Sequence, residues 1–89
     1  MTRHQHLKAF NEAIFRCKLI RRDLDKINCN LEDLNYKKNK DLAEYAYIKT
    51  IEEIISRGKK YLSLNVEADE SIRVALDIQK YQSILDNIN

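Results

Sequence analysis

The sequence has no proline and a single glycine in 89 residues. Tight hairpin turns lean on glycine above all, so a strand-rich fold of many hairpins is not expected. A glycine-rich phosphate loop is excluded for the same reason. Long apolar runs are also missing. The longest stretch without Asp, Glu, Lys or Arg is six residues, Tyr61 to Val66, where a spanning helix needs roughly 20 apolar residues. No apolar segment follows the amino-terminal Met-Thr-Arg-His-Gln-His, so no secretory signal is read and a cytoplasmic location is expected.

Cysteine and histidine are scarce, which narrows the chemistry. Cys17 and Cys29 are the only cysteines. On one continuous helix their Cα atoms would lie roughly 18 Å apart, too far for a disulfide, so two reduced cysteines are expected. There is no C-x-x-C pair and no Cys/His cluster for zinc. His4 and His6 are the only histidines, which rules out H-E-x-x-H and the E-x-x-H pair of metal-binding bundles. If Met1 is removed, Thr2-Arg3-His4 could wrap Cu(II) or Ni(II) in a square plane, as any chain with histidine there would. No metal or other cofactor is expected.

What the chain does contain is helical patterning. It is 44% hydrophobic and 34% charged, too apolar for a disordered tail and too charged for a membrane segment. From about residue 6 to 36, Leu7, Phe10, Ile14, Cys17, Ile20, Leu24, Ile27, Leu31 and Leu34 recur at steps of three and four, which predicts one long helix. The stripe shifts sideways where Arg21 and Asn28 interrupt one apolar row. Asn28-Cys29-Asn30 is a run of weak helix formers and the expected internal break. Lys37, Lys38 and Lys40 read as a helix C-terminus. Asp41 and Glu44 read as the capping box of a second helix, about 42–62, ending at Gly58 or a turn later. A third helix, about 67–88, opens on Glu67, Asp69 and Glu70 and carries Val74, Ile78, Tyr81, Leu85 and Ile88. The stretch Leu62 to Val66 stays ambiguous between helix and extended chain.

The expected architecture is all-α: a single domain of three antiparallel helices with a long first helix. A first helix of 31 residues would overhang the other two by about 15 Å with its stripe uncovered. The alternative is a four-helix bundle, should the first helix break near Asn28. Tyr45 and Tyr47 diverge by about 200° on a helix, so the second helix is either central or offers a second face to a partner.

The residues show no catalytic constellation. Glu52–Glu53 and Asp69–Glu70 are adjacent pairs that diverge on a helix and read as surface charge. An enzyme is not expected. Charge is uneven: residues 1–40 hold ten Lys/Arg and five Asp/Glu, residues 41–89 six and nine. Lys18, Arg22 and Lys26 form one basic column that could meet an acidic protein or, less well, nucleic acid, since Asp23, Asp25, Glu32 and Asp33 interrupt it and no aromatic platform accompanies it.

Residues 47–51 (Tyr-Ile-Lys-Thr-Ile) through 56–63 (Ser-Arg-Gly-Lys-Lys-Tyr-Leu-Ser), with the acid-capped last helix, resemble the middle of the small immunity proteins that protect bacteria from their own pediocin-type bacteriocins. The resemblance covers under a third of the chain. It implies a small cytoplasmic helical bundle acting on a membrane target complex. The long first helix departs from that family's pattern, and no functional residue is carried over.

The expected function is a small non-enzymatic protein–protein interaction module: a regulator, inhibitor, adaptor or chaperone-like protein, coiled-coil in character and oligomeric or partner-bound. Leu24, Ile27, Leu31, Leu34, Tyr47 and Ile54 are the expected apolar contacts, with Lys18, Arg22 and Lys26 steering an acidic partner. A helical nucleic-acid binder and an immunity-like protein are the alternatives. Neither membrane insertion nor a small-molecule substrate is expected.

Overall fold

The computed structural model describes residues 2–64 and 67–88. They form three helices and no strand: α1 (Arg3–Asn28), α2 (Tyr36–Leu62) and α3 (Ala68–Ile88). α2 packs against both α1 and α3, so it is the central helix, and the molecule measures 51 × 24 × 16 Å. Asn65 and Val66, part of the stretch left ambiguous in the sequence, lie outside the described residues.

α1 starts earlier than its apolar stripe does. Thr2 caps it: the Gln5 amide donates to the Thr2 hydroxyl at 3.2 Å and the Thr2 amide donates back to Gln5 Oε1 at 2.7 Å. This reciprocal capping box satisfies two amides that the first turn leaves open. α1 ends at Asn28, where the weak helix formers begin, instead of running to Tyr36.

The break does not produce a fourth helix. Residues 29–35 are consumed by the turn. Asn30 donates to the Ile27 carbonyl at 3.0 Å and Tyr36 to the Asp33 carbonyl at 3.0 Å, while the Asn35 amide donates to the Asp33 carboxylate at 2.8 Å. α2 then begins at Tyr36, six residues ahead of the expected start. Lys37, Lys38 and Lys40 therefore sit in the first turns of α2, the end where the macrodipole disfavours cations. Asp41 is interior and caps nothing; an i,i+4 contact between Lys40 Nζ and Glu44 at 3.9 Å spans it.

Gly58 is not a terminator. It lies buried inside α2, with no positive φ. A Cβ there would stand 2.7 Å from both Cγ1 and Cδ1 of Ile78 and 3.0 Å from Phe10 Cε2. The glycine lets side chains of α1 and α3 close directly on the α2 backbone. Around it lies the core: Phe10, Ala13 and Cys17 from α1, Ile51, Ile54, Ile55 and Tyr61 from α2, Val74 and Tyr81 from α3.

Ion pairs fix the register of α1 on α2. Glu53 Oε1 accepts from Arg16 at 2.9 Å and from Arg57 at 2.7 Å, and Arg21 lies over the Tyr47 ring at 5.8 Å. Arg73 of α3 reaches Asn11 at 3.4 Å, and Ile88 shares a cleft with Leu24 and Ile48. α3 thus ends level with the later turns of α1. Beyond it α1 and α2 continue as a two-helix tip, with roughly 12 residues or about 18 Å of α2 uncovered by α3. The overhang is shared by two paired helices and not carried by α1 alone.

Candidate protein-interaction surface

The helical wheel of α1 has two apolar faces. One is the core stripe. The other consists of Phe15 and Leu19, 63% and 41% exposed. Each is two residues from buried Cys17, hence about 200° around the helix from it. The same wheel places Lys8, Arg22 and Lys26 on the outer face with them, and Lys18 along one edge. The side chains of Lys8, Lys18, Arg22 and Lys26 make no ion pair or hydrogen bond among the described residues. A surface cleft of about 370 Å³ runs beside Phe15, lined by His4, Leu7, Lys8, Asn11 and Glu12.

α3 repeats the apolar pair, on a helix of net negative charge. Ile72 and Leu76, both about 60% exposed, flank wholly buried Val74. Asp69, exposed one turn before Ile72, extends this outer face, and its side chain has no partner among the described residues.

The expected contact residues separate into three groups. Ile54 is wholly enclosed and Leu24 nearly so; both are spent on the chain's own core and have no surface to give a partner. Ile27 and Tyr47 are half-buried, Ile27 between the paired helices of the tip and Tyr47 beneath Arg21. Leu31 and Leu34 are exposed, Leu34 completely, but they belong to the turn between α1 and α2 and form no continuous face with the others. Lys18, Arg22 and Lys26 are exposed along α1 as the column requires. The structure thus keeps the basic column together and disperses the apolar set.

Phe15 and Leu19 escaped the sequence reading because they fall outside the dominant stripe. The signal was an i,i+4 apolar pair on the column of the unpaired cations. The two tyrosines of α2 divide the opposite way from the expectation: Tyr45, which keeps the apolar period, points outward, 64% exposed, while Tyr47, the expected partner contact, turns in.

The titratable groups at the helix junction are protected and not activated. Burial pushes the Cys17 thiol above its ordinary value, Lys80 opposing. Burial likewise raises Tyr47, and pushes Tyr81 up to about 12. A raised thiol pKa leaves little nucleophilic thiolate. Both cysteines are free, Cys29 at the surface. Glu53 moves the other way: the Arg57 hydrogen bond, helped by Arg16, holds its carboxyl below the usual range against its partial burial. Among the described residues no group of three or more His, Cys, Asp or Glu is placed to hold a metal ion. Nor is any described helix long and apolar enough to cross a membrane.

The class that these observations define is a small all-α protein of three helices packed α1–α2 and α2–α3. No protein-family model matches the chain, and no curated protein or solved structure matches it either.

Proposed function

We propose that this chain is a protein–protein interaction module, not an enzyme, and that its working surface is the outer face of α1. One observation carries the reading: the exposed Phe15–Leu19 pair stands among Lys8, Lys18, Arg22 and Lys26, four cations whose side chains make no ion pair or hydrogen bond among the described residues. An isolated apolar side chain at a surface is ordinary. A large aromatic–aliphatic pair at helical spacing inside a basic rim has the anatomy of a helix-docking face, apolar at the centre and charged at the edge. The partner it suits is an amphipathic helix with its own apolar pair and acidic flanks. Roles as a regulator, inhibitor or adaptor all use such a face.

Nucleic acid is the weaker occupant. Glu12 and Asp23 share the outer side of α1 with the cations, and the exposed aromatic is a single ring, where single-strand binders use several.

The test is site-specific photo-crosslinking in the cell that makes the protein, with a benzophenone amino acid at Phe15 and, as a control, at Leu34. The reading expects a discrete protein adduct from position 15 and none from position 34. An adduct to nucleic acid, or the absence of any adduct at position 15, overturns it.

A further inference from the structure

We infer that the occupant of the α1 outer face is α3 of a second copy of this chain, docked antiparallel; the inference rests on the reading just given and names its partner. The acidic amphipathic helix that α1 calls for is present on the same molecule. The outer face of α3 offers Ile72 and Leu76 at the same i,i+4 spacing as Phe15 and Leu19, and all four side chains are exposed, Leu19 least. The two helices carry opposite charge: Arg3–Asn28 holds seven Lys/Arg against three Asp/Glu, Ala68–Ile88 two against four.

Register selects the direction. An antiparallel pairing that sets Phe15 opposite Leu76 sets Leu19 opposite Ile72. Arg22 then falls opposite Asp69, and Glu12 opposite Gln79 and next to Lys80. A parallel pairing that keeps the apolar residues in contact sets Glu12 opposite Asp69, acid against acid. Like charges facing each other across an interface are strongly disfavoured. The antiparallel register sets Lys18 level with Arg73, whose charge Glu70 and Asp77 offset within α3; it joins the apolar pairs and sets Arg22 against Asp69, where the parallel one sets acid against acid.

Arg22 and Asp69 are free to meet such a partner, since neither side chain is engaged among the described residues. The contact joins two different faces, so it is heterologous, and each copy retains an unused α1 face and an unused α3 face. Association therefore grows with concentration instead of stopping at a closed dimer. Each charged pair lies at the rim, so the contact weakens with salt.

A charge-swap experiment tests this on the full chain by sedimentation velocity at low and high salt. Arg22→Asp and Asp69→Arg each place like charges across the contact and should weaken self-association about tenfold or more. An equimolar mixture of the two variants restores opposite charges across the contact. The acid introduced at position 22 of one variant meets the base introduced at position 69 of the other, and the unchanged Arg22 meets the unchanged Asp69. The mixture should associate as the wild type does. Circular dichroism checks that both variants stay folded. If the wild type stays monomeric up to millimolar concentration, or if the variants associate undiminished, the second-copy inference is overturned. Photo-crosslinking at Phe15 separates the two failures. An adduct to a different protein leaves the interaction reading standing without this partner, and no adduct overturns both.

Discussion

Phe15 and Cys17 lie two residues apart on α1 and face in nearly opposite directions: the ring is 63% exposed and the thiol 2%. Ile72 and Val74 repeat the relationship on α3, 59% against fully buried. A helix that turns about 100° per residue cannot bury both members of such a pair in one core. Each outer helix therefore carries a second apolar face that the other described residues do not cover.

The contrast between enclosed and exposed leucine-type residues gives the first prediction. Ile54→Ala removes a fully buried side chain from the middle of the core and should cost about 2–5 kcal/mol. Leu31→Ser with Leu34→Ser changes only the turn and should stay within about 0.5 kcal/mol of the wild type. Urea unfolding followed by circular dichroism measures both.

At Gly58 the expected sign runs against helix propensity. Alanine is the better helix former by about 1 kcal/mol. Its Cβ, however, would stand 2.7 Å from Ile78, and overpacking of that kind costs about 1–3 kcal/mol. Gly58→Ala should therefore destabilise, and adding Ile78→Val should recover part of the loss. Thermal melts of the two variants check this.

Acid should loosen the α1–α2 contact through Glu53. Its folded pKa lies below the ordinary 4.5 because Arg57 and Arg16 bind the carboxylate. The stability it contributes is present above the unfolded value and is lost as pH falls through the folded one. Glu53→Gln should be less stable than the wild type at neutral pH, with the gap closing below about pH 4. Unfolding curves taken from pH 7 to pH 2 show whether it does.

Alkali should act on Tyr81 in the opposite sense. Burial raises its pKa from 10 to about 12, so its neutral form is favoured in the folded chain. That stability is intact below pH 10 and is lost as pH rises towards 12. Replacing Tyr81 by Phe should flatten the decline over this window. Denaturant midpoints at pH 9, 10 and 11 compare the two proteins.

The helical class was legible because eight consecutive steps of three or four, with no proline, leave little else. Asn28 was legible as a break from its neighbours' poor propensity. The start of α2 was not, since Lys37, Lys38 and Lys40 look like a helix end, and only the turn at Asp33 shows that they begin one. Leu31 and Leu34 kept the period of α1 without belonging to it; periodicity alone cannot tell a packed leucine from one in a turn. The basic column was visible in the numbering, but Phe15 and Leu19 gained meaning only when the core claimed Cys17 and left them outside.

The most direct measurement is the solution mass of the wild type and of the Phe15→Ser/Leu19→Ser variant by sedimentation velocity, across a concentration series at low salt. The account predicts a wild type whose mass rises above the monomer with concentration, and a variant that remains monomeric while its unfolding curve is unchanged. Two proteins of identical mass at every concentration would contradict it.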